Sequence, residues 1–399
     1  MATRAAPALR PKLDAPTWIS YVEISLIAFF AMGYGSTLAL LRDEQGTTRT
    51  VAGFHATVLA FAGVLTAALV PRMVDRWGRT RLIRMSMACL ALGVAVYTVP
   101  AGLFASLSGI ALVGVGFTSA LVCLNAFLID HQRGAGPAAL TQANALAALA
   151  GLLSPLLIGI GAATFLGWRA GLWVLVVAIV VAEVIRARMG SVFGSVESRP
   201  KGRDNWRGLP AAFWWSCILV ACLSAVEVGT FTWTADLLRE QAGLSPAAAA
   251  AGVSAVSAGM VLGRFVGGRL AQTYSVDALL RAAIVIAGAS LLLAWLARTP
   301  ALLLGCLFLV GLGISVNWPL GVARVVAASG GQANRGASLA SVAGGIAGGT
   351  FPLLVGVTAD RIGIQAAFLA MPAVLVIALV ILRAAPVVPF ADAPSNPGD

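Results

Sequence analysis

Apolar residues in this chain come in runs of about twenty, the length a helix rising 1.5 Å per residue needs to cross roughly 30 Å of hydrocarbon. Twelve such runs are separated by short polar breaks. Six fall at Trp18 to Leu41, Gly53 to Val74, Leu82 to Val99, Ala105 to Ile129, Ala138 to Ala163 and Ala170 to Ile185. Six more fall at Ala211 to Ala235, Ala247 to Ala271, Leu279 to Ala297, Ala301 to Val326, Ala337 to Thr358 and Gln365 to Ile381. None alternates with the period of a strand, so the pattern predicts an all-α membrane protein with twelve transmembrane helices.

The second six repeat the first at a shift of 197 residues without a gap. Leu40-Leu41-Arg42 falls on Leu237-Leu238-Arg239, Gly46 on Gly243, Gly114-x-Gly116 on Gly311-x-Gly313, and Gly134 on Gly331. Gly151 and Ser154 to Gly159 fall on Gly348 and Phe351 to Gly356, with Pro155 over Pro352. A period of this length means duplicated, domain-sized halves, so two pseudo-symmetric six-helix bundles are expected. The boundaries that follow are a tail over 1–17, a first bundle over 18–185, a linker over 186–210, a second bundle over 211–383 and a tail over 384–399. The linker, with Ser195, Pro200, Lys201, Gly202 and Arg203, has the composition of mobile chain.

Composition agrees with a bilayer environment. Only 11% of residues are charged and the mean hydropathy is +0.91, too few polar groups to cover a water-soluble fold. Of the 27 Lys and Arg, 21 lie at the tails, the linker and alternate loops on one side, against six on the other. That asymmetry predicts both termini in the cytoplasm, in a plasma membrane of the bacterial inner-membrane type. It also accounts for the net charge of +11, which is scattered over loops rather than gathered into a nucleic-acid patch. The first apolar run is too long for a cleavable signal. The five cysteines lie inside apolar runs, and His55 and His131 are far apart in sequence with no HExxH pattern. No disulfide, metal, cofactor or catalytic constellation is therefore expected, and an enzyme is disfavoured.

The break after the second run reads Val74-Asp75-Arg76-Trp77-Gly78-Arg79-Thr80-Arg81. This closely resembles the cytoplasmic loop signature of the major facilitator superfamily, Gly-x-x-x-Asp-Arg-x-Gly-Arg-(Lys/Arg)-x-(Lys/Arg), although Pro71 stands where the family has its first glycine. The resemblance implies the family's fold of two six-helix bundles and alternating access to a midplane site. It also implies a gating role for Asp75, Arg76, Gly78, Arg79 and Arg81. Gly78 allows a short turn and Asp75 can face the positive end of a helix from the other half, latching the outward-facing state. The repeat places Gln272 over Asp75, so only the first half carries a charged latch.

Candidate chemistry lies among polar residues inside apolar runs, which are costly in lipid and tend to face a cavity. Three carboxylates qualify. Glu227, near the centre of the seventh run, is the candidate for proton coupling, because the ionised form is disfavoured at that depth. Glu23, near the inner interface, reads as a hydrated second candidate. Glu183, three residues before Arg186, reads as a local ion pair. Asn125, Gln142, Asn144 and Asn317 can hydrogen-bond a solute, with Trp233 and Trp318 as apolar walls; each can equally serve as interhelical glue. Pro155 and Pro352 interrupt helical hydrogen bonding and mark kinks. Asp130-His131, at the inner end of the fourth run, has groups that can relay protons but reads first as a solvated helix end.

These residues point to a secondary transporter that moves a small organic solute by alternating access, coupled to protons and acting as a monomer in the bilayer. A slight lean goes to export. Against export, Ser154 precedes Pro155 where the superfamily's antiporter motif has glycine, and the fourth run lacks the arginine of many proton-driven exporters. The alternatives are an uptake permease or symporter for a sugar-like or other metabolite, and a non-transporting sensor or subunit on a transporter fold.

Overall fold

The computed structural model describes residues 11–189, 209–330 and 332–386. Twelve helices are long and apolar enough to span a membrane: α1 (Ala15–Gln45), α2 (Arg49–Trp77), α3 (Arg79–Thr98), α4 (Gly102–Gln132), α5 (Gly136–Ala162), α6 (Arg169–Arg188), α7 (Ala211–Ala242), α8 (Pro246–Leu270), α9 (Val276–Leu296), α10 (Pro300–Ala327), α11 (Arg335–Ile362) and α12 (Ile364–Ala384). They overlap the twelve apolar runs one for one. Most extend beyond them, because a helix that leaves the hydrocarbon continues until a cap stops it.

Those caps repeat as the sequence does. Gly46 and Gly243 adopt φ of 60° and 63° and close α1 and α7 in the left-handed conformation that glycine tolerates best. Two residues further on, Thr48 and Ser245, again 197 apart, cap α2 and α8 by accepting from Val51 N and Ala248 N. At the start of α1, Asp14 accepts from Thr17 N and from His131, and the hydrogen bonds to Thr17 and His131 outweigh burial to hold its carboxyl below the usual value.

The duplication also governs packing. A Cβ at Gly116 would meet Leu90 N at 2.5 Å, and one at Gly313 would meet Ala287 N at 2.6 Å, the equivalent atom. Gly114 abuts Leu59 O, and Gly311 abuts Val256 O in the same register. Small residues let α4 approach α2 and α3, and α10 approach α8 and α9, to backbone contact, which in lipid is a main source of helix association. One core, with Phe30, Met87, Leu124 and Leu172, fills the first six helices. Another, with Leu219, Leu291, Leu307 and Phe368, fills the last six. Outward, Val177, Val180, Val376 and Val380 stay exposed on α6 and α12, an apolar belt suited to acyl chains.

Three expectations about the ends need adjustment. Helix α1 begins at Ala15 inside the expected tail, α6 continues to Arg188 inside the expected linker, and α12 runs to Ala384. The remainder of the linker over 190–208 and of the tails over 1–10 and 387–399 lies outside the described residues.

Candidate functional site

Polar contacts across the seam between the halves gather in the part of the bundle away from the termini. Arg42 Nη1 on α1 donates to Asp236 Oδ2 on α7 at 2.6 Å, and Arg239 Nη1 on α7 lies 2.6 Å from Asp43 Oδ2 on α1. Arg49 on α2 pairs with Glu240 and lies 3.9 Å from Asp236. Asp360 on α11 accepts from Arg49 N, Thr50 N and Thr50 Oγ1, so it caps the first turn of α2 from the other half. Arg42 and Arg239 are the equivalent arginines of the Leu-Leu-Arg repeat, each crossing to an acid of the opposite copy.

Beneath this clasp the backbones touch. A Cβ on Gly35 of α1 would collide with Phe231 O of α7, Ser36 Oγ donates to Ala250 O at 3.0 Å, and a Cβ on Gly53 would sit 2.7 Å from Pro352 O. Thr57 Oγ1 donates to Gly349 O at 2.7 Å. At Gly159, α5 meets Ala247 O of α8 at 2.8 Å in the same sense. Toward the termini face the exposed side chains of α5 include Thr141, Gln142, Asn144 and Ala145.

At mid-depth, Glu227 is half-buried on α7, and the charge that acts on it is the Arg264 guanidinium of α8. Arg264 shares a small pocket with Ala28 and Met32 of α1, Ala147 and Ala148 of α5, and Ser257 and Met260 of its own helix. All four residues from α1 and α5 lie near the middle of their spans. Although it lies near the inner end of α8, Arg264 turns its side chain toward α1 and α5. Ser257, 3% exposed, has no hydrogen-bond partner for its hydroxyl among the described residues. Among the described residues no three His, Cys, Asp or Glu gather as metal ligands.

Other sequence candidates are distributed differently. Glu23 is not a hydrated interfacial group: it is fully buried and ion-paired with Arg186, itself 1% exposed on α6 rather than in a solvated linker. Glu183 does reach Arg186 Nε at 3.7 Å, and lies 3.6 Å from Arg84 as well. Trp233 is not a cavity wall; it is 1% exposed and donates from Nε1 to Pro352 O at 3.1 Å, bracing α11 at its proline. Pro155 and Pro352 both lie inside their helices. Asn317, 1% exposed where α10 is interrupted between Ile314 and Asn317, has neither amide atom partnered among the described residues, while Trp318 is 40% exposed beside Gly344. Asn125 is half-buried on α4. Gln142 accepts from Tyr21 at 3.0 Å, and Asn144 donates to Leu140 O of its own turn.

On the termini face, Gly78 turns with φ of 76° between α2 and α3. Asp75 and Arg76 are exposed, as is Arg81, and no polar partner holds Asp75 among the described residues. Arg79 is buried and donates to Asp130 Oδ2 at 2.7 Å, so Asp130-His131 is not a free helix end: His131 Nε2 lies 2.7 Å from Asp14. The seam charges Arg42, Asp236, Arg239, Glu240 and Arg264 were not singled out from sequence as site residues. The duplicated Leu-Leu-Arg was a usable signal for the clasp. An arginine seven residues inside the end of the Ala247 to Ala271 run was one for Arg264.

Two duplicated six-helix bundles meeting along a seam that is clasped by charge at one face and charged at its middle define an integral membrane protein of transporter type. The Major Facilitator Superfamily profile matches residues 24–275 and 217–398, and the chain belongs to that family. Among curated relatives it is 27% identical over 335 residues to a chloramphenicol resistance protein of Streptomyces lividans, covering 80% of this chain and 82% of the relative. It is 26% identical over 379 residues to the transcription regulatory protein OpdE of Pseudomonas aeruginosa, covering 91% and 92%. Among solved structures, a bacterial homologue of the human lysosomal transporter Spinster, inward-facing and unoccupied, superposes with a TM-score of 0.74 at 14% identity, covering 94% of this chain and 97% of that one. At that identity the likeness speaks for the fold alone.

Proposed function

We propose that this protein is a secondary active transporter that carries a small organic solute across a bacterial plasma membrane by rocking its two halves, with both termini cytoplasmic. The observation that carries the reading is the one-sided seam. Charged and backbone contacts close it away from the termini, while Asp75 on the other face is exposed and unpaired. Such an arrangement is one of the two states alternating access requires, open toward the termini, with Glu227 and Arg264 where a solute would rest. The excess of basic residues at the termini face supports the inside orientation. Glu227 supports proton coupling, since it lies at mid-depth, half-buried, with no hydrogen bond or ion pair among the described residues.

The relative from Streptomyces lividans supports the lean to export. The relative from Pseudomonas aeruginosa, whose name is that of a regulator, favours a second reading in which the fold senses rather than moves a solute. Purified protein in proteoliposomes discriminates them. Saturable counterflow of a solute that stabilises the purified protein is the expected result, and binding without flux would replace the transporter with the sensor.

A further inference from the structure

We propose that Arg264 and Ser257 form an anion subsite in the seam that takes the carboxylate of an amphipathic organic monoacid. The inference rests on the transporter reading and narrows its solute class.

Three observations carry it. First, Arg264 lies on an interhelical face in the middle of the bundle, where an arginine without a counter-ion is costly. Yet no carboxylate approaches its guanidinium within the 4.0 Å of an ion pair among the described residues, although elsewhere in the bundle the buried Arg186 and Arg324, nearer the ends of their helices, are closely paired. Second, Ser257 lines the same pocket, buried and without a hydrogen-bond partner. Ser257, Met260, Val261 and Arg264 follow an i, i+3, i+4, i+7 spacing, so both polar groups point from one face of α8 toward α1 and α5. Third, α1 and α5 answer with Ala28, Met32, Ala147 and Ala148, none of which is a strong acceptor.

The pocket is thus rich in donors and poor in acceptors, with an apolar rim. An arginine fork matches the two oxygens of a carboxylate, and the serine hydroxyl can donate to one of them. Glu227 sets the charge limit. It already acts on Arg264 from α7, so a second negative charge on the solute would be repelled where a single one is tolerated. A monocarboxylate with an apolar body fits this balance, whereas a phosphate dianion, a cation or a sugar does not.

The test uses full-length protein in detergent micelles and matched probes: medium-chain and aryl monocarboxylates, such as octanoate and 3-phenylpropionate, each beside its primary amide. The acids should raise the melting temperature and the amides should bind at least about tenfold more weakly. Arg264→Gln should erase that preference, Arg264→Lys should keep part of it, and Ser257→Ala should weaken the acids a few-fold. Should Arg264→Gln fail to fold, the lysine and serine variants still decide. The subsite is overturned if no acid of the panel stabilises the protein, if amides bind as well as acids, or if Arg264→Gln or the Arg264→Lys/Ser257→Ala pair retains wild-type preference. Counterflow of a neutral solute, unchanged in Arg264→Gln, would overturn the subsite and leave transport standing. Acid binding with no flux would do the reverse.

Discussion

Breaking the clasp at Asp236 should release the far face of the bundle. Asp236 is 3% exposed, accepts from Arg42 at 2.6 Å and lies 3.9 Å from Arg49, so Asp236→Asn removes one charge from two cross-half pairs while preserving shape. At an effective dielectric of about 20 the gross attraction of the shorter pair is about 6 kcal/mol. Opening the clasp rehydrates both ions, and the net loss for a desolvated pair cut on one side is about 2 kcal/mol, the lower end for such changes. Since these contacts exist only in the clasped state, the whole of that loss acts on the conformational equilibrium, shifting it by about 30-fold and turning a 99:1 population into about 3:1. Spin labels on Thr47 and Ala248, beside the α1–α2 and α7–α8 turns, report the opening as a second, longer distance in pulsed electron resonance. The pairing is specific, so Arg42→Asp with Asp236→Arg should restore the short distance. An Asp236→Asn distribution identical to wild type, at low and moderate salt, would refute the assignment of these charges as the element that holds this state.

Three further outcomes follow from the same geometry. Asp75→Asn should shift molecules toward the state open at the termini, because the exposed, unpaired Asp75 can stabilise only the opposite one; thiol labelling from the two faces should show the shift, and an unchanged ratio with wild-type flux would remove the latch. Glu227→Gln should abolish accumulation driven by a pH gradient while sparing solute exchange, and full gradient-driven activity would end its assignment to proton coupling. Glu23→Ala leaves the buried Arg186 without its close partner, with Glu183 at 3.7 Å as the remaining acid, and should cost about 3 kcal/mol, lowering the melting temperature in detergent, whereas a Glu23→Gln/Arg186→Gln double variant should recover most of the loss; equal stability of wild type and Glu23→Ala would contradict the buried pair.

How much of this was legible in the chain depends on the range of the interaction. Helix number, duplication and fold follow from local rules, apolar length and glycine caps, which act within one span or between copies of it; Gly46 and Gly243 took the same conformation because each ends the same stretch of helix. The turn at Gly78 was legible for the same reason. Side-chain direction was not. Glu23 sits at a depth compatible with water, but the face of α1 that carries it turns toward α6, and only that packing brings Arg186 to it. Trp233 shares a helix with Glu227 and yet braces Pro352 instead of lining the seam, because its position on α7 points it at α11. Arg264 lies near the end of an apolar run and reads as a loop charge until α8 is docked against α1 and α5, where a long side chain carries its guanidinium to mid-depth. Local sequence determined that there are two matching bundles in a membrane. Which polar groups meet across the seam was decided by the rotation of each helix about its axis, which depends on all its neighbours at once.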